Sequence, residues 1–230
     1  MNRLAKITTL GIAALTLGAA TASAQVTKAG QGYQFRLKFT KGQTIKYKVS
    51  SVVPMPGQPQ PFSMSMPVAQ TIAAVTGNVA TVNVQAGPML LNGKPATTEP
   101  MKSTVKVSSL GKPVGQASSA GTFTTYPAAP VKVGGTWTST VPLGGMGGPG
   151  AGGTATAVYK LLGFKTVNGK QAAEVSIAIN SKGPQPATGQ GRGLISMADG
   201  MPIKMDIKLN MSNPQSTGQK MTANISILRA

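Results

Sequence analysis

Arg36, Lys38, Lys46, Lys48, Lys106, Lys204 and Lys208 stand on the polar positions of runs in which apolar and polar residues alternate. Side chains two apart on a strand project from one face of its sheet, so this spacing predicts a cationic, anion-attracting face. Lys outnumbers Arg and lacks the planar guanidinium fork, which points to diffuse attraction of phosphate or carboxylate groups. Met64-Ser65-Met66 is a second pattern: two thioethers on one strand face, a spacing compatible with soft Cu(I) ligation. Met201, Met205 and Met211, by contrast, run in phase with Ile203, Ile207 and Leu209 and read as core filler.

The chain has no His and no Cys among its 230 residues. That removes the usual general acid or base near neutral pH, the thiolate nucleophile and the commonest metal ligands. The 4 acids, Glu99, Glu174, Asp199 and Asp206, are each isolated in sequence, so paired-carboxylate catalysis or a carboxylate-rich cation site needs distant residues to converge. Ser and Lys are plentiful, yet no Gly-x-Ser-x-Gly nucleophile elbow occurs. The expectation is a non-enzyme with no cofactor and no metal. Nucleic acid is not an expected partner either: 1 Trp, 4 Tyr and 5 Phe do not interleave with the basic residues as a base-stacking module requires.

Residues 1–24 read as a secretory signal peptide, with Arg3 and Lys6 in a positive leading region, an apolar stretch from Ile7 to Ala20, and Ala22-Ser23-Ala24 as the cleavage site. Thr8, Thr9, Gly11, Thr16 and Gly18 interrupt the stretch, which is too short and too polar to span a bilayer. Cleavage would remove two of the 22 basic residues and none of the acids. A cationic protein in the bacterial periplasm or exterior is the expectation, held together without disulfides by its core.

The elements that must carry these residues are strands. Tyr33, Phe35, Leu37 and Phe39 alternate with polar residues and predict one half-buried strand; so do Ile45, Tyr47 and Val49. The run from Met201 to Met211 and the last run, with Met221, Ala223, Ile225 and Ile227 on one face, repeat the pattern. Asn168-Gly169 is the dipeptide a type I′ hairpin favours, and Thr76-Gly77-Asn78 and Asp199-Gly200 are similar turn signals.

Three landmarks recur in order. Gly42-Gln43-Thr44-Ile45 precedes Gly134-Gly135-Thr136-Trp137 by 92 positions, as Val75-Thr76-Gly77-Asn78 precedes Val167-Asn168-Gly169-Lys170; Gly111-Lys112-Pro113-Val114 precedes Gly200-Met201-Pro202-Ile203 by 89. These predict a duplicated chain with half-repeats over 33–128 and 129–230 inside one all-β domain, 25–230. The fold expected is all-β and antiparallel, about eleven strands, two duplicated meander halves forming a barrel-like or sandwich unit. Pro- and Gly-rich loops are expected at 54–61, 142–153 and 183–189. Trp137 is expected as a core anchor between the halves.

Leu37-Lys38-Phe39-Thr40-Lys41-Gly42-Gln43, the segment Tyr126-Pro127-Ala128-Ala129-Pro130-Val131-Lys132-Val133-Gly134-Gly135-Thr136-Trp137, and the hairpin ladder after Tyr159 resemble a family of uncharacterised exported bacterial β-rich proteins. The architecture that resemblance implies is similar to the curved open sheet of periplasmic lipoprotein carriers. It brings no catalytic residues to this chain. The functional expectation is therefore an exported envelope protein that binds or carries an anionic or amphiphilic, lipid-like component, with peripheral membrane contact; the alternative is a structural cell-surface or matrix module without a small ligand. The oligomeric state is left open.

Overall fold

The structure is a computed structural model that describes residues 26–54, 59–97, 99–115, 124–142, 154–181, 186–212 and 220–230. The segment read as a signal peptide lies outside the described residues, as do 55–58 of the first loop segment, 143–153 of the second and 183–185 of the third. The fold is all-β and antiparallel, as the alternation predicts.

Fourteen strands occur among the described residues, against about eleven expected. They are β1 (Val26–Ala29), β2 (Gly32–Phe35), β3 (Thr44–Val53), β4 (Phe62–Thr76), β5 (Val79–Ala86), β6 (Leu90–Leu91), β7 (Lys94–Pro95), β8 (Met101–Ser108), β9 (Thr136–Pro142), β10 (Thr154–Val167), β11 (Lys170–Ser181), β12 (Ala187–Ser196), β13 (Pro202–Ser212) and β14 (Lys220–Arg229). The surplus includes β6 and β7, two-residue pairings too short to display any period.

The main sheet runs β8-β5-β4-β3-β14-β13-β12-β11-β10-β9, with the β6-β7 ladder attached to the first part of β4. It does not close into a barrel, because β8 and β9 do not pair. One face carries the core, buried over most of its extent and half-buried at Val49, Met64 and Met66. Val82, Val105 and Val107 at one end and Trp137, Tyr159 and Val175 at the other belong to a single apolar cluster, so both ends of the sheet wrap one core. The other face is exposed and mostly polar.

Four strands of each half follow one order: β3, β4, β5 and β8 in half one, β9, β10, β11 and β12 in half two. β13 and β14, also within 129–230, lie between β12 and β3 and have no counterpart in half one. Each half has a bulge at the same place, between Ile72 and Ala74 in β4 and between Leu161 and Gly163 in β10. The landmarks found in sequence perform the same task twice. Gly42 and Gln43 exchange backbone bonds with Ile72, and Gly134 and Gly135 do so with Leu161.

Tyr33 to Phe39 is not one strand. β2 ends at Phe35, and the chain then runs extended between two turns, with the Leu37 amide donating to the Ser109 carbonyl and the Lys38 amide to the Asp199 carbonyl. Its alternation survives because Phe35 and Leu37 are buried on both sides of that boundary. Trp137 is the anchor expected: it is buried, stacks on Tyr159 with ring centroids 5.1 Å apart, packs against Phe35, and donates from Nε1 to the Thr125 carbonyl.

The segment 183–189 is not all loop. Ala187, Thr188 and Gly189 open β12, whose glycines 189, 191 and 193 occupy inward positions. A side chain at Gly191 would collide with the Asp206 carbonyl, so β12 and β13 approach too closely there for anything larger than hydrogen. Pro142, likewise placed in a loop by its composition, is the last residue of β9.

Candidate binding face and groove

The polar phase of the strands does line one face. Lys46 and Lys48 on β3, Lys204 and Lys208 on β13 and Lys106 on β8 are all exposed on the outer side of the sheet. Register then sorts them into rows. Lys48, Leu228 and Lys204 sit abreast on β3, β14 and β13, which sets the two lysine positions two strand spacings apart, about 10 Å. Val52, Asn224 and Lys208 form a parallel row. Leu228 and Val52 are 47% and 37% exposed, so apolar side chains stand among the cations. Lys106 lies apart, on the strand at the sheet's edge.

Arg36 is not on this face. It sits in the extended segment after β2, where its guanidinium donates to the carbonyls of Phe35 at 2.7 Å and of Pro127 and Ala128 at 3.1 Å. Burial lowers its pKa from the ordinary arginine value, and its donors clamp backbone to backbone. Lys38 occupies the same segment, half-buried.

Three acids are engaged. Glu174 pairs with Lys165 at 3.0 Å and Arg192 at 3.8 Å; Asp199 pairs with Arg229 at 2.7 Å and accepts the Met201 amide; Asp206 pairs with Lys204 at 2.9 Å. Among the described residues Lys46, Lys48, Lys106 and Lys208 have no carboxylate within ion-pair distance.

Ser226 donates to Asp206 at 2.8 Å, which brings Ser, Asp and Lys together on the outer face. Burial pushes the Asp206 carboxyl up, but bonds from Lys204 and Ser226 and the lysine charge outweigh it and hold it below the usual range. A carboxylate so held is a poor base, and the trio is exposed rather than in a cleft, so it does not activate the serine. The Ser-x-x-Lys spacing of some hydrolases, which the reading of Ser and Lys above overlooks, occurs at Ser103-Thr104-Val105-Lys106 and Ser109-Leu110-Gly111-Lys112. In the first, Ser103 turns its hydroxyl inward, where it is buried, while Lys106 points out. Two residues three apart on a strand face opposite sides.

Met64 and Met66 do share the inner face, opposite Ser51 and Val49, and both are half-buried. Met66 packs against the main core, as a filler side chain does.

Sequence reading missed one feature. An open groove of about 570 Å³ crosses the outer face of β10 to β13. Two rows build it: Lys208, Gln190, Ala178 and Val158 abreast, then Asn210, Thr188 and Asn180. Four consecutive strands contribute, so only their register reveals it. The local signal was Thr188-x-Gln190 on the outward phase of glycine-rich β12.

The tyrosines of the core are structural. Burial raises the pKa of Tyr159 to about 12 and that of Tyr126 well above its ordinary value, and it raises Tyr47 as well. They remain neutral at any physiological pH. No protein-family model matches the sequence, and a search of the curated proteins finds no match.

Proposed function

We propose that this is an exported, non-catalytic envelope protein that binds an anionic, amphiphilic component of the cell envelope through the outer face of its sheet. The observation that carries the reading is the row Lys48, Leu228, Lys204: two cations flanking an exposed apolar side chain. A surface that is cationic and apolar in the same row matches a ligand that is anionic and apolar in the same place. The inner face is largely occupied by the protein's own core, which favours peripheral binding over uptake of an acyl chain. The leading segment supplies the route to the envelope.

The test is co-sedimentation of the processed protein with phosphatidylglycerol vesicles. Binding at low salt should fade as ionic strength rises toward 1 M, where the Debye length falls to about 3 Å. Phosphatidylcholine vesicles should not bind. A protein that ignores anionic vesicles at low salt and carries no extractable lipid would refute the proposal. The filled inner face favours one other reading, a structural surface module whose partners are proteins or polymers, and that same negative result would select it.

A further inference from the structure

We propose that the groove across β10 to β13 is a binding site for an acidic saccharide chain. The inference rests on reading the outer face as the anion-binding face, and it names the ligand class for one part of it. The groove's walls are unspent hydrogen-bonding groups: the side chains of Asn180, Thr188 and Gln190 make no hydrogen bond among the described residues. Asn210 accepts from the Thr222 hydroxyl at 2.9 Å, which orients its amide and leaves the NH₂ donors available. Amides present donor and acceptor together, the arrangement that vicinal hydroxyls of a sugar ring satisfy in both directions.

Val158, 40% exposed, and Ala178 form a small apolar strip beside these amides. It offers a surface against which the C–H face of a sugar ring can stack. Lys208 stands in the same row with no carboxylate in reach among the described residues, so it supplies the complement to a uronate or phosphate group on the saccharide. The volume, about 570 Å³, lies within the range of ligand sites, and the groove is open, which suits a segment of a longer chain. Side chains abreast in a row repeat every strand, about 4.8 Å, a spacing on the scale of one sugar unit in an extended polysaccharide.

The ligand chemistry has two sources, a free acidic polysaccharide or the sugar headgroup of an anionic glycolipid. Calorimetric titration with polygalacturonate and sedimentation with vesicles containing glucuronosyl diacylglycerol separate them: binding to either supports the site, and the pattern assigns the source. Two variants probe the groove. Ala178→Trp fills it without changing charge, and the double variant Asn180→Ala with Gln190→Ala removes its amides; all three positions are exposed, and circular dichroism checks the fold. Each should cut polygalacturonate affinity about tenfold or more, the equivalent of one or two lost hydrogen bonds. Binding of dextran sulfate and of phosphatidylglycerol vesicles should stay within about twofold, because those read charge alone. The inference is overturned if polygalacturonate binds both variants as it binds the parent protein, or if neither polygalacturonate nor the glucuronosyl lipid binds while phosphatidylglycerol vesicles do. If neither ligand binds, the outer-face reading falls with it.

Discussion

Tyr126 donates its hydroxyl to the carbonyl of Gly200, 74 residues further along the chain, and so ties the segment that precedes β9 to the turn between β12 and β13. Both partners lie where water cannot replace them: Tyr126 is 1% exposed. Tyr126→Phe keeps the ring, with its stacking on Phe35, and removes the hydroxyl with its bond to Gly200 and its side-chain hydrogen bond with Thr124. The orphaned carbonyl should cost about 1 to 3 kcal/mol, read as a lower denaturant midpoint with an unchanged m-value. No loss of stability would show that the bond is incidental to the fold.

Gly111 and Gly200 should tolerate no side chain. Both have positive φ, at 75° and 70°, and a methyl on either would overlap a backbone carbonyl, of Thr124 and of Arg36 respectively. Gly30 is the control, with φ of 58° and open space around it. Gly30→Ala should cost only the left-handed penalty, about 1 to 2 kcal/mol. Gly111→Ala and Gly200→Ala must shift backbone as well, so each should destabilise by several times that or prevent folding. Equal effects at all three positions would remove the close approach as the reason for these glycines.

Much of the fold was legible in the residues because one face is buried and the other wet, and strands such as β3 and β14 announce that alternation directly. The landmark glycines were legible as well, since positive φ and close backbone approach leave few alternatives. What escaped was set by contacts between strands. β12 hides its period because Gly189, Gly191 and Gly193 leave their inward space to Leu209, Ile207 and Met205. Arg36 kept the polar phase of its run yet faces backbone carbonyls, because the strand it seemed to belong to ends one residue earlier. The groove needed the register of four strands. Phase along one strand cannot report which side chains stand abreast.

Alkali should unfold the protein through its tyrosines. Burial raises the pKa of Tyr47, Tyr126 and Tyr159 in the folded state, whereas in the unfolded chain each ionises near its ordinary value of about 10. Their contribution is complete below pH of about 10 and is lost as pH rises from there through the folded-state values, because only the unfolded chain gains the favoured phenolate. Absorbance of tyrosinate near 295 nm should lag behind free tyrosine and then rise together with the loss of sheet signal. If these three residues ionise while the sheet remains intact, the core is more open than the burial indicates.

Salt should stabilise the protein in solution while it weakens its binding. The formal charge is +18 with 4 acids in the whole chain, so attraction is soon exhausted and the remaining lysines repel one another. The ion pairs that salt would weaken are few, and exposed pairs such as Lys204 with Asp206 are worth about 1 kcal/mol or less. Screening should therefore raise the melting temperature between about 0.02 M and 0.5 M sodium chloride, a range over which the Debye length shrinks several-fold. Lys48→Gln makes the sign specific. It removes an exposed cation two strands from Lys204, so it should raise the melting temperature at low salt, lose that advantage at high salt, and weaken vesicle binding at low salt. A melting temperature that falls with added salt would mean that the ion pairs, and not lysine repulsion, govern the electrostatics of this sheet.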